Sequence, residues 1–141
     1  MLFLVGRRMR PERKRTNMQP RIVERSALEA ALASGRAPVL LEALDEAYYR
    51  QAHLPGAIAL PLARLAEIAR NRLPDKNAAL VVYCASKTCK NSGIAARALL
   101  ALGYTDVSVY TGGKADWLDA GLPAETGPER SSGGPVLEVV P

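Results

Sequence analysis

The chain has one histidine, one tryptophan, one phenylalanine and two cysteines in 141 residues. Two cysteines are too few for a disulfide scaffold, and one histidine leaves no Cys/His cluster of the kind that holds structural zinc. No metal or cofactor is called for. No segment approaches the roughly 20 apolar residues that span a bilayer. The apolar stretch Leu2 to Val5 is shorter than a signal-peptide core, and it precedes the positive charges instead of following them. A cytoplasmic protein is expected, in which cysteine serves either packing or chemistry.

What is present is the balance of a globular protein, with 48% hydrophobic and 23% charged residues in a length suited to one domain. The net charge of +5 is concentrated in Arg7, Arg8, Arg10, Arg13, Lys14 and Arg15, opposed only by Glu12. The rest of the chain is electrically balanced. This arm has no aromatic residue among its charges to stack on bases and no helical periodicity, so neither a specific nucleic-acid partner nor a membrane is expected. Residues 1–18 read as a basic flexible extension, and Met18, directly before the domain, marks residues 1–17 as a candidate upstream addition. Residues 19–124 read as the domain and 125–141, with Ser131 to Pro135, as a flexible tail.

Within the domain, apolar runs alternate with helical patterns. Ser26 and Glu29 have capping-box spacing and Gly35 supplies a stop, which predicts a helix over 27–34. Val39, Leu40 and Leu41 form a buried strand. Asp45 caps a short helix bearing Tyr48 and Tyr49, and the turn His53 to Gly56 leads to a brief strand over 57–60. After Pro61 the spacing of Leu62, Leu65, Ile68 and Ala69 predicts a helix ending near Pro74. Residues 79–83 are the most strand-like of all, and the loop 85–91 follows Cys84. Ser92 is expected to cap a helix whose Ile94, Ala95, Ala98, Leu99 and Leu102 form one apolar stripe ending at Gly103. A strand over 106–110, a Thr-Gly-Gly turn and a helix over 114–120 carrying Trp117 complete the domain. The fold class is α/β, with a mostly parallel sheet covered on both faces.

In such sheets ligands bind beyond the carboxyl ends of strands, and Cys84 lies at one. A thiol there faces unpaired N–H groups and the positive end of a helix dipole, with Lys87 and Lys90 nearby. The expectation is a depressed pKa and a nucleophilic thiolate. The opposing reading is a small buried hydrophobe finishing a strand. Ala85, Ser86, Lys87, Thr88, Lys90, Asn91 and Ser92 are the candidate substrate-binding loop, because its N–H groups can cradle an anion. His53, the one histidine and the one candidate base, precedes a Leu-Pro-Gly turn.

The string VVYCASKTCKNSGIAARALLALGYTDVSVYTGGKADWLDAGLP at 81–123, together with HLPGAIALPL at 53–62, resembles a rhodanese domain, and the likeness runs over roughly residues 20–125. The resemblance implies a compact α/β domain in which the loop cysteine, here Cys84, takes a sulfane sulfur as a persulfide and passes it to a nucleophile. A small sulfur-containing anion or a persulfide would be the donor, and a thiol the acceptor. Where the family commonly has Asp-x-Arg at the end of its early strand, this chain has Glu42, Ala43 and Leu44, so the arginine is lost. The loop reads about two residues longer than the usual single-domain form. That length resembles the spacing of cysteine phosphatases, but Lys90 stands where their phosphate-binding arginine would be and lacks its bidentate fork. The loop also holds Cys89, a candidate resolving thiol that could attack a persulfide or sulfenic acid on Cys84, or that simply packs beneath the loop. A non-catalytic, protein-binding module and a Cys84/Cys89 dithiol redox enzyme stand as alternatives to a sulfurtransferase.

Overall fold

The computed structural model describes residues 19–129. The basic extension over 1–18 and the tail from 130 onward lie outside them.

Five strands form one sheet: β1 (Arg21–Val23), β2 (Val39–Glu42), β3 (Ile58–Ala59), β4 (Ala79–Tyr83) and β5 (Asp106–Tyr110). The order across the sheet is β1-β5-β4-β2-β3, and every pairing is parallel. Parallel neighbours need crossovers, and the helices provide them: α1 (Arg25–Ala33), α2 (Glu46–Gln51), α3 (Leu65–Arg72, entered through a 3-10 turn at Leu62–Arg64), α4 (Asn91–Ala101) and α5 (Gly113–Asp119). None of the helices among the described residues is long and apolar enough to cross a membrane.

Burial on both faces explains the continuous apolar runs. Leu80, Val82 and Cys84 pack on one side with Leu65, Ile68 and Ala69 of α3 and Ala95, Ala96 and Leu99 of α4. Val81 and Tyr83 pack on the other with Leu28 of α1, Tyr49 of α2 and Trp117 of α5. Trp117 sets its ring edge-on to Tyr110 and donates Nε1–H to the Pro123 carbonyl at 2.8 Å. The register brings Val23, Tyr110, Tyr83, Glu42 and Ala59 into one row at the carboxyl edge. Side chains alternate along a strand, so the residue after Tyr83 turns to the opposite face. That residue is Cys84.

Several local expectations shift. α1 begins at Arg25 after Glu24, not at a Ser26 cap, because the chain leaves β1 at Val23 and turns at once; Glu29 pairs with Arg25 at 3.5 Å instead of closing a capping box. α4 begins at Asn91, which places Ser92 inside its first turn. The inward face of α4 is Ser92, Ala95, Ala96 and Leu99, while Ile94 and Leu102 are exposed. Small side chains at 92, 95 and 96 let the helix approach the sheet beside the loop. Residues 125–129, placed in the tail by the sequence, are attached to the domain: Glu125 is buried and exchanges backbone hydrogen bonds with His53, and the Gly127 N–H donates to the Arg50 carbonyl.

Candidate active site

The loop after β4 is built on backbone contacts with the start of α5. The Lys114 N–H donates to the Cys84 carbonyl and the Ala115 N–H to the Ala85 carbonyl, both at 2.8 Å. Gly113 makes this approach feasible with φ at 73°. Within the loop the Cys89 N–H donates to the Ser86 carbonyl at 3.0 Å, and the Ser86 and Thr88 hydroxyls lie 3.1 Å apart. The Asn91 side-chain amide donates to the Ala43 carbonyl at 3.1 Å, tying the start of α4 to the end of β2.

Cys84 is 1% exposed. Its thiol is 3.4 Å from both the Cys89 carbonyl and the Ser92 hydroxyl. Cys89 is half-buried beside it, whereas Ala85, Lys87, Thr88 and Lys90 are exposed. Of the sequence-predicted loop residues, Ser92 touches the Cys84 thiol through its hydroxyl, and Cys89 touches it through its carbonyl and its thiol.

The thiolate expectation is corrected. Burial is the largest influence on Cys84 and raises its pKa, and a hydrogen bond with the Cys89 thiol raises it further; Ser92, through its hydroxyl and backbone, pulls the other way. The exposed Lys87 and Lys90 are not among the principal influences. Cys89 moves oppositely. Its partial burial opposes ionisation, yet its hydrogen bonds with Cys84 and with the Ala85 and Asn91 backbone lower its pKa. The difference comes from burial, which weighs on Cys84, and from the shared thiol hydrogen bond, which raises Cys84 and lowers Cys89.

That division has a measurable consequence. At near-neutral pH, iodoacetamide is expected to alkylate Cys89 first, with Cys84 following as pH rises. Tryptic cleavage after Lys87 separates the two cysteines, so peptide mass spectrometry reads each rate against pH. Faster alkylation of Cys84 at neutral pH would contradict the assignment.

On the opposite face of the sheet lies a buried polar cluster that sequence reasoning missed. Glu42 is fully buried; it accepts the Tyr83 hydroxyl at 2.7 Å on Oε1 and Lys114 Nζ at 3.0 Å on Oε2. Nζ also donates to the carbonyls of Tyr48 and Ala52. The Lys114 backbone N–H is the one that holds the Cys84 carbonyl, so the ion pair braces the loop from behind. The available signal was an acid ending an apolar strand, a charge that burial obliges to find a partner. His53 is structural here: it is 2% exposed, stacks on Tyr49 with ring centres 3.7 Å apart, and places Nδ1 2.8 Å from the Tyr49 carbonyl. No group of three or more acidic, cysteine or histidine side chains among the described residues is arranged to hold a metal.

Residues 24–120 match the family model described as a rhodanese-like domain. The thiosulfate sulfurtransferase PspE of Escherichia coli K12 is 41% identical over 59 residues, which is 42% of this chain and 55% of PspE. The chain thus spans about half the length of that curated relative. Among solved structures, the Alr3790 protein from Anabaena sp. superposes with a TM-score of 0.67 at 30% identity, covering 74% of this chain and 91% of the other. A thiosulfate sulfurtransferase from Pseudomonas aeruginosa gives 0.68 at 31%, covering 76% of this chain and 20% of the larger protein. With most of its length matched to the family model and its sheet shared with these structures, the chain belongs to the rhodanese-like domain family.

Proposed function

We propose that the protein is a small sulfurtransferase in which Cys84 takes a sulfane sulfur from an anionic donor such as thiosulfate and yields it to a thiophilic acceptor. The observation that carries this reading is the Cys84 thiol held at the end of the central strand against Ser92, in the first turn of an eleven-residue helix. A negative charge formed on Cys84 meets the Ser92 hydroxyl and N–H and the positive end of the helix dipole. The Cys84 thiolate attacks the outer sulfur of thiosulfate; a new S–S bond forms, the S–S bond of the donor breaks, and sulfite leaves with the electron pair. An acceptor nucleophile then attacks the terminal sulfur and Cys84 leaves as thiolate. Similarity to the PspE and Pseudomonas aeruginosa thiosulfate sulfurtransferases supports thiosulfate as the donor to try first. We place the reaction in the cytoplasm, the compartment that keeps thiols such as Cys84 and Cys89 free.

Mass spectrometry after incubation with thiosulfate is expected to show one added sulfur on the peptide spanning 77–87, absent from Cys84→Ser. Failure to load from any sulfane donor would refute the proposal, and would favour the second reading that Cys84's near-complete burial motivates, a non-catalytic rhodanese-like module that binds a partner. The resting group is a thiol whose pKa burial raises, so the loading rate should climb with pH through the ordinary thiol range and beyond it. A rate that is flat across that range would contradict the role given to Cys84.

A further inference from the structure

If Cys84 carries the sulfur, it carries it in an enclosed place. The thiol is 1% exposed, closed over by the Cys89 carbonyl and the Ser92 hydroxyl. Cys89 is half-buried where Cys84 is buried, so of the two thiols it is the more accessible from outside. Cys89 lies against Cys84 on one side, with its carbonyl 3.4 Å from the Cys84 thiol. On the other it lines a cleft of about 370 Å³ between β1, the end of β5 and the start of α4, and Cys84 is not part of that lining. Pro20 and Ile22 give the cleft an apolar wall, and Ile22 is 61% exposed. Its charged lining residues are Lys90 and Arg97, and no acid is among the described residues that line it. Gly93 leaves the Arg97 guanidinium room to lie across the helix, since a Cβ there would stand 3.4 Å from Nη1.

We propose that Cys89 is the exit thiol of the sulfur transfer, receiving the sulfane sulfur from Cys84 and giving it to a low-molecular-weight thiol with carboxylates, bound in this cationic cleft. This rests on the Cys84 persulfide proposed above. The Cys89 thiolate attacks the terminal sulfur of the protonated Cys84 persulfide. A Cys89 S–S bond forms, the Cys84 S–S bond breaks, and the electron pair stays with Cys84. The terminal proton ends on Cys84 and the negative charge on the Cys89 persulfide, where the Ala85 and Asn91 N–H groups meet it. The acceptor thiolate then takes the terminal sulfur and Cys89 leaves as thiolate. No net oxidation occurs, so no outside reductant is consumed. Attack on the inner sulfur would instead expel sulfide, leave a Cys84–Cys89 disulfide and require a reductant at every turnover.

The test loads the whole protein with thiosulfate, traps persulfides by alkylation and reads the peptides 77–87 and 88–90 separately. Wild type should carry sulfane sulfur on both; Cys89→Ser should carry it on Cys84 alone. The ratio of turnover with glutathione to turnover with cyanide should fall about tenfold in Cys89→Ser, a loss equal to 1.4 kcal/mol of transition-state free energy. Arg97→Gln should raise KM for glutathione about tenfold, the scale of one lost charge-assisted contact, without the same change for glutathione diethyl ester. An unchanged ratio in Cys89→Ser would overturn the relay, including the case where both turnovers fall together because the loop is disturbed. Sulfur confined to 77–87 in wild type, or a loaded protein trapped as the Cys84–Cys89 disulfide, would overturn it as well. If neither peptide gains sulfur, the sulfurtransferase reading itself fails.

Discussion

Replacing Gly113 with alanine is expected to destabilise the domain by about 2–5 kcal/mol, combining left-handed backbone strain with overpacking. The residue has φ at 73°, where an L side chain is strained, and a Cβ there would stand 2.7 Å from the Cys84 carbonyl oxygen and 2.9 Å from the Ser86 nitrogen. Both neighbours are backbone, so neither can swing aside. Relief requires the loop to move away from α5, which breaks the hydrogen bonds from Lys114 to Cys84 and from Ala115 to Ala85. Gly121 separates the two contributions. Its φ is 74°, but nothing lies within 4 Å of a Cβ built there, so Gly121→Ala should cost only the strain, about 1–2 kcal/mol. Urea midpoints for the two variants measure the difference, and sulfur loading of Gly113→Ala should fall well below that of Gly121→Ala. Equal stability of the two would show that the loop yields at little cost, against the rigid cradle described above.

The elements best marked in the sequence are those whose signal is local. β4 and β5 lie where their β-branched and aromatic residues place them, over 79–83 and 106–110, and both interrupt helical patterns clearly. Cys84 was legible for the same reason: a strand ends and a polar loop begins. β1 was not legible. It is three residues long, mostly exposed, and exists as a strand only because β5 pairs with it 87 residues away, Arg21 opposite Ser108. The stripe expected for α4 holds at Ala95, Ala98 and Leu99 and misses at its ends: counting large apolar residues selected Ile94 and Leu102, whereas close packing against the sheet selected Ser92 and Ala96. The ionisation of Cys84 was misjudged because dipole and lysine charges can be read from neighbours in the chain, while burial depends on the α3 and α4 residues that pack over the sheet. Glu42 illustrates the largest gap. Its burial and its partner 72 residues on are facts of the assembled sheet, invisible to spacing.

Lys114→Met is expected to cost about 3–5 kcal/mol, the scale for removing one partner of a buried ion pair and leaving the other charge uncompensated. In the intact protein burial already raises the Glu42 pKa, and Lys114 and the Tyr83 hydroxyl pull against that rise. Without Lys114 the folded-state pKa rises further above its unfolded value. A carboxyl raised in this way favours folding while protonated and loses that contribution as pH rises through its folded pKa. The deficit of Lys114→Met should therefore be smallest at about pH 5 and grow toward about pH 8, the range above the ordinary glutamate pKa. Urea midpoints of variant and wild type at both pH values measure it. A deficit independent of pH would mean that the loss comes from the carbonyls of Tyr48 and Ala52, which Nζ also holds, and not from the stranded carboxylate. The double change Glu42→Gln with Lys114→Met removes both charges and should recover a large part of the loss. It retains the main-chain link from residue 114 to the Cys84 carbonyl, so recovery of stability should bring recovery of sulfur loading with it. Stability regained without loading would instead show that the ion pair aligns the Cys84 loop in a way that backbone contact alone does not.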